Sequence, residues 1–425
     1  MHQHRVEGIK KHMTQDKALE ILKSGKNVFL TGEPGAGKTY TINLFTEFLR
    51  RRYTNYAVTA STGIAATHIN GMTIHSWSGL GIKEVITDAD VARIATRPYV
   101  VKRLLSAQVL IIDEVSMLNA QAINNLDKVL SSIRGGILSN FQGKPFGGIQ
   151  VIFVGDFFQL PPVTKSGETM FAFESKAWQS AELEICYLTE QYRQSDQLFL
   201  EILTAMRKGT ITDSHKKTLA EKREKGKVSA RLFTHNIDVD NINSMELAKI
   251  QGELKTFNMM SQGIPFLVEI LEKQCLSPKT LVLKQGAIVM FTRNNFDEGY
   301  VNGTLGEIVG FDGDLPVVKI KDGNRITATP AEWSIEDDGA VKARISQIPL
   351  RLAWAITVHK SQGMSLDAAT VDLSKAFECG QGYVAISRVR SLAGLHIEGR
   401  IHSKAFETHP KVVEQDKIFR TKSEI

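Results

Sequence analysis

Short apolar runs recur along the chain, and their spacing predicts strands alternating with helices. Val28-Phe29-Leu30, Val109 to Ile112 and Val151 to Val154 are uninterrupted apolar runs of strand length. That is the pattern of strands buried on both faces of a parallel sheet. Tyr56-Ala57-Val58-Thr59-Ala60 reads as a fourth strand. Between them the apolar period lengthens to that of a helix. Ala18, Ile21 and Leu22 mark one helix within 13–22, with Thr14 as its N-cap; Ile42, Leu44-Phe45 and Phe48-Leu49 mark another within 40–52. Strands each followed by a loop or helix predict a parallel α/β domain with ligands at the strand carboxyl ends.

The second half repeats the pattern in pieces. Asp196 to Gly209 is an amphipathic helix, with Leu198, Phe199, Ile202, Leu203 and Met206 on one face. Residues 213–229 are dense in mixed charge and read as a solvated helix or linker. Leu232-Phe233-Thr234 and Ile288 to Phe291 read as strands of a second parallel sheet. The α/β pattern resumes at Leu350 to Ile356 and Ala369 to Leu373, followed by a helix over 380–391. From Asn302 to Glu336 the runs shorten and alternate, with turn signals at Asp312-Gly313 and Asp322-Gly323. This predicts a small antiparallel module inserted in the second domain. Residues 78–105 form a smaller insertion with a basic end, Arg93, Arg97, Lys102 and Arg103.

The chemistry centres on residues 32–39, Gly-Glu-Pro-Gly-Ala-Gly-Lys-Thr. This is a G-x-x-x-x-G-K-T phosphate loop, and it sits between a predicted strand and a predicted helix, the context it requires. Gly35 and Gly37 allow backbone angles closed to other residues. The loop amides and the helix N-terminus point at negative charge. Lys38 is placed for the β- and γ-phosphates and the Thr39 hydroxyl for Mg²⁺. Ala36 and Tyr40 flank these positions on the same loop and helix start and belong to the expected nucleotide contacts.

Asp113-Glu114 closes the strand Val109 to Ile112. Downstream of a phosphate loop, such a pair divides into a metal-holding carboxylate, Asp113, and a base that orients water, Glu114. Gln159, just past the strand Val151 to Val154, is placed to sense a γ-phosphate or its water. Gln15 opens the first helix, and a glutamine amide can pair with the N6 and N7 edge of adenine. Arg193 is either a surface charge or an arginine finger for the transferring phosphoryl group. Ser61 to Thr67 places hydroxyls and small residues where a nucleic-acid phosphate could approach. The second domain has no G-K-[ST]. One ATP is therefore expected to serve two similar halves, with Arg193 and Arg388 reaching it from the far side.

Composition narrows the class. The chain has 425 residues, with 42% hydrophobic and 23% charged, enough for a sizeable core. A net charge of +6 permits a polyanionic partner without requiring one. The three cysteines, Cys186, Cys275 and Cys379, are far apart, so reduced thiols and no zinc site are expected. Met1 to Lys11 is polar and basic, unlike a secretory signal, and no apolar run is long enough to span a membrane. A GTPase-like switch would want an N-K-x-D base reader, and the sequence has none.

In order, Gln15, GEPGAGKT (32–39), ASTGIAA (60–66), GMTIHSW (71–77), LIIDEVSM (110–117), VGDFFQLPPV (154–163), LTEQYRQ (188–194), WAITVHKSQGMSLD (354–367) and YVAISRVRS (383–391) form one series. It resembles the motif series of superfamily-one DNA helicases of the 5′→3′ branch, most closely the PIF-type (petite integration frequency) helicases. Asp196 to Phe199, Leu203 and Arg207 to Gly209 resemble that family's signature stretch. The RecD and Dda helicases share most of these motifs.

The resemblance covers nearly the whole chain. It implies two RecA-like domains, about 1–190 and 191–425, with a wedge-bearing insertion near 77–105 and an SH3-like insertion near 296–345. It implies ATP hydrolysis with Mg²⁺ and a role in DNA repair and recombination. Gln15 would read adenine; Gly35, Gly37, Lys38 and Thr39 would hold phosphates and Mg²⁺, with Gly363 a further nucleotide contact. Asp113 and Glu114 would be metal carboxylate and base, and Gln159, Arg193 and Arg388 would sense the γ-phosphate. Thr62, Gly63, Thr73, His75, Thr357, His359 and Ser361 would line the path of single-stranded DNA. Expected partners are single-stranded DNA and forks, with G-quadruplexes a further candidate, and the expected state is a monomer. The expected location is the cytoplasmic nucleoid in a bacterium, or the nucleus or mitochondrion in a eukaryote. A RecD-like motor subunit that works only inside a larger DNA-processing complex is the alternative.

Overall fold

The computed structural model describes residues 12–68, 71–81, 83–162, 168–191, 196–223, 230–234, 239–295, 297–337 and 340–424. The chain divides into two units. The first comprises 1–61, 74–193 and 409–425; the second comprises 62–73 and 194–408.

In the first unit, α1 (Gln15–Lys23), β1 (Val28–Gly32), α2 (Lys38–Arg51) and β2 (Tyr56–Ala60) follow the predicted spacing. Thr14 caps α1, its hydroxyl accepting from the Lys17 amide at 3.3 Å. The strands β3 (Val109–Asp113), β4 (Gln150–Val154) and β5 (Glu184–Leu188) complete five parallel strands in the order β2-β3-β4-β1-β5. Alternation along β1 splits its side chains between two layers. Val28 and Leu30 pack with Leu22, Ile42, Phe45 and Leu49 of α1 and α2. Phe29 points into an aromatic cluster on the other face with Phe157, Trp178 and Phe419.

Phe419 belongs to the C-terminal helix Pro410–Ser423, which packs on the first unit although 191–425 was expected to form the second. Tyr187 on β5 holds this helix: its amide donates to Ser423 Oγ at 3.0 Å and its hydroxyl to Asp416 Oδ1 at 2.8 Å. The Arg420 guanidinium lies 4.2 Å from the Tyr187 ring centroid and donates to Asp416 at 2.7 Å. The helix thereby pairs an amide at the sheet's edge, where a ladder bond ends.

The insertion in this unit is built from α3 (Asp88–Ala95) and α4 (Pro98–Ser106). Thr87 and Asp90 form a capping box at the start of α3. Both helices pack against α5 (Ala120–Ile137), which starts soon after Asp113-Glu114.

The second unit has its own parallel sheet. Ala355–Thr357, Arg231–Phe233, Ala369–Asp372 and Leu395–Glu398 lie side by side in that order. The predicted helix at Asp196 is Gln197–Lys208, capped by Asp196 and closed by Gly209 in the left-handed conformation. Ile288–Phe291 was expected in this parallel sheet, but it pairs antiparallel with Leu305–Asp312 and Leu350–Leu352. Val289, Met290 and Phe291 are all fully buried, so both faces are covered and its apolar run mimics a parallel strand. The expected run Leu350 to Ile356 divides accordingly: Leu350–Leu352 closes the antiparallel sheet and Ala355–Thr357 opens the parallel one. The β-rich module thus reaches beyond 296–345, and Met260–Gly263 joins its outer hairpin. No helix among the described residues is long and apolar enough to cross a membrane.

Candidate active site

The phosphate loop follows β1. Gly35 and Gly37 have φ of +90° and +87°, a region that favours glycine. A Cβ at Gly37 would also fall 1.8 Å from Gln15 Nε2. Gln15 lies over the loop and donates to the Ala36 carbonyl at 3.3 Å, so the expected base reader and the loop are in direct contact. Lys38 Nζ donates to the carbonyls of Gly32 at 2.7 Å and Glu33 at 3.2 Å. Thr39 and Tyr40 are exposed at the start of α2.

Asp113 is half-buried at the end of β3. Burial raises its pKa, against the Glu114 amide, which donates to its Oδ1 at 2.8 Å, and against the Lys38 charge. A carboxylate held in this way gains from a cation. Among the described residues no three His, Cys, Asp or Glu side chains group as a metal cage. Mg²⁺ is commonly held by one or two protein oxygens plus substrate phosphates. Asp113 and the Thr39 hydroxyl supply such oxygens.

Glu114 has φ 51° and ψ 45°, the left-handed region. A non-glycine residue there costs on the order of 1–3 kcal/mol, and such strain clusters at functional sites. Gln159 is buried and its amide donates to the Asp156 carbonyl at 3.0 Å. Its side-chain Oε1 has no hydrogen-bond partner. An orphaned buried acceptor at a strand end is suited to accept a hydrogen bond from a bound water. His75 stands on the short helix Ile74–Ser78, and burial lowers its pKa. Arg193 lies outside the described residues.

Sequence reasoning missed several groups here. Glu190 Oε2 accepts from the Gln15 amide at 3.4 Å, and Gln191 Nε2 donates to Glu33 Oε2 at 3.0 Å. The exit of β5 is therefore tied to α1 and to the phosphate loop. Ser116, two residues past Glu114, has a fully buried hydroxyl without a partner. The signal available was the position of Glu33 inside the loop motif and of Ser116 inside LIIDEVSM.

The second unit carries the remaining candidates. Thr62 Oγ1 accepts from the Ala65 amide at 3.2 Å and Gly63 opens the helix Gly63–His68. Thr73 ends the two-residue strand Met72–Thr73. Thr357 Oγ1 accepts from the Lys360 amide at 3.2 Å, closing the turn that holds His359 and Ser361. Burial lowers the pKa of His359. Ser361 was expected on the DNA path but is fully buried, and its hydroxyl donates to the Val358 carbonyl at 2.8 Å. It shapes the turn and lines no surface. Gly363 has φ +77°. Arg388 is buried at the end of Gln381–Ser387, its Nε donating to Val384 O at 3.0 Å and an Nη to Ser387 Oγ at 3.1 Å.

Comparison with known proteins places this geometry. Residues 11–217 match the family PIF1-like helicase, and residues 267–311 match the DNA helicase Pif1 2B domain. The ATP-dependent DNA helicase Pif1 of Psychrobacter sp. (strain PRwf-1) is 43% identical, over 91% of this chain and 68% of that protein. The chain spans about 60% of the length of the Xenopus laevis and human relatives it matches. Bacteroides sp. Pif1 in complex with ADP-AlF4 is 28% identical, with a TM-score of 0.83 over 98% of this chain and 99% of that one. Bacteroides Pif1 bound to ssDNA is 29% identical, with a TM-score of 0.67 over 98% and 99%.

Proposed function

The chain belongs to the PIF1-like helicase family of ATP-dependent DNA helicases, and we propose that it runs 5′→3′ along single-stranded DNA and opens duplexes with a 5′ tail. The observation that carries the chemistry is the cluster of Lys38, half-buried Asp113, strained Glu114 and the unpartnered Gln159 Oε1 at the strand ends of one sheet. Asp113 with Thr39 would hold Mg²⁺, which supplies neutralisation of phosphate charge when bound, and Lys38 would bind the β- and γ-phosphates. Glu114 takes the proton of the attacking water, and Gln159 Oε1 orients that water. Arg388 and Arg193 are the candidates for stabilising charge on the transferring phosphoryl group.

Forks and G-quadruplexes are the further substrates in this reading, monomeric action is the working state, and the nucleoid, nucleus or mitochondrion is the location, by source. The support for polarity is the motif series itself. The test is unwinding by the purified chain, with duplexes tailed on one strand and the displaced strand labelled. Opening of the 5′-tailed substrate is expected. Opening of the 3′-tailed substrate alone would overturn the polarity. Activity only after addition of other subunits would favour a RecD-like role.

A further inference from the structure

The helix that follows the catalytic carboxylates also holds the 77–105 insertion by its backbone. α5 begins at Ala120, capped by Asn119 Oδ1, which accepts from the Ala122 amide at 2.8 Å. One turn in, Asn125 is buried, and its Nδ2 donates to the Glu84 carbonyl at 2.7 Å. Gln121 Nε2 donates to Asn125 Oδ1 at 2.8 Å and fixes which way the amide faces. Lys128 Nζ donates to the Ile86 carbonyl at 3.3 Å and pairs with Asp88 Oδ1 at 2.8 Å.

Near the far end, buried Arg134 sends one Nη to the carbonyls of Leu104, Leu105 and Ala107 at 2.6, 3.2 and 2.9 Å. Its Nε donates to the Gly147 carbonyl at 2.9 Å. Arg134 thus takes the carbonyls of Leu104 and Leu105 in the last turn of α4, where helix carbonyls lack a partner in the helix, and that of Ala107 just past its end. Both ends of the insertion are fastened to one helix, and apart from Asp88 Oδ1 the acceptors are main-chain atoms, which cannot swing aside as a side chain does.

We propose that α5 holds the insertion against the reaction force of a duplex being drawn onto it, through Asn125, Lys128 and Arg134 as positioning residues. These three then set how many base pairs open per ATP, while the rate of ATP hydrolysis is set elsewhere. The proposal rests on the reading of the insertion as the element that meets the duplex. A wedge that yields when strands press on it lets the motor step without parting them.

Asn125→Asp is isosteric and replaces the donor at Glu84 with an acceptor. Lys128→Met removes the donor at Ile86 and the pair with Asp88. These two, combined in the full chain, are the working variants, since Arg134→Met risks unfolding. DNA-stimulated ATP turnover, the KM for ATP and translocation on single strands should stay within about twofold of the parent. Unwinding of a 5′-tailed duplex should fall about fivefold or more for two lost hydrogen bonds, and more on a G·C-rich duplex than on an A·T-rich one. A merely structural role would lower ATPase and unwinding together, and that outcome overturns the proposal. Unchanged unwinding also overturns it. Val85→Ser with Tyr99→Ser, exposed side chains of the insertion itself, separates the two failures. If that pair impairs unwinding while the α5 pair does not, only the role of α5 falls. If neither pair does, the insertion does not meet the duplex and both readings fall.

Discussion

Glu114 is both the expected base and a residue in a backbone conformation that suits glycine. Two substitutions separate these properties. Glu114→Gln keeps the side-chain volume and the strain but removes the base. Loss of a general base costs about 10²–10⁴-fold in rate, which is roughly 3–5.5 kcal/mol in the barrier. Its melting temperature should match the parent, because Gln pays the same left-handed cost. Glu114→Gly also removes the base and relieves that cost. Relief of a left-handed Cβ clash is worth roughly 1–2 kcal/mol, and the greater freedom of glycine in the unfolded chain takes back about 0.4–1 kcal/mol. The net gain of up to about 1.6 kcal/mol should raise Tm by up to some 3–6 °C in a unit of this size. Steady-state ATPase with saturating single-stranded DNA, followed by thermal melting of the three proteins, measures both quantities. Turnover of Glu114→Gln within twofold of the parent would refute Glu114 as the base. A Tm for Glu114→Gly at or below that of Glu114→Gln would refute the claim of strain.

Three further expectations follow from the geometry. Lys38→Ala should abolish DNA-stimulated ATP hydrolysis with the fold intact by circular dichroism, and unchanged turnover would remove Lys38 from the site. Arg388→Ala and, separately, Arg193→Ala should each lower hydrolysis on the order of 10³-fold while single-strand binding by anisotropy persists; normal ATPase in both would mean that neither reaches the phosphoryl group. Burial holds His75 and His359 below the ordinary histidine value of 6.5. A histidine whose folded pKa is lowered contributes stability that is fully present above about 6.5 and is lost as pH falls towards the folded pKa. Tm should therefore drop as pH is lowered below about 6.5, and His75→Gln should flatten that drop; an unchanged slope would contradict it.

The parts legible in the sequence were those written in neighbouring residues. The phosphate loop, Asp113-Glu114, the cap at Thr14 and the helix at Asp196 each depend on a few adjacent positions. The strand Ile288–Phe291 was placed in the wrong sheet because a two-sided burial looks the same in either kind of sheet. The pairing of Glu33 with Gln191 spans 158 residues, and no local pattern encodes it. Pro410–Ser423 shows only Val412 and Phe419 as buried apolar anchors, so its docking partner was invisible from its own period. Ser361 stands inside a motif that names it, but which way a hydroxyl points is decided by the turn around it.

The docking of Pro410–Ser423 on the first unit has a consequence for synthesis. Strand β5 and the helix that covers it are separated by the whole of 194–408. A ribosome adding about 5–20 residues per second needs roughly ten to forty seconds to make that stretch. During that interval the first unit can form its sheet, but the face that receives Phe419, lined by Phe29, Phe157, Phe173 and Trp178, is uncovered. The nascent chain carries an aromatic surface of the kind that chaperones bind. A stop codon anywhere before 410 leaves that surface exposed for the life of the product, and such fragments should aggregate through the first unit even when every catalytic residue is present.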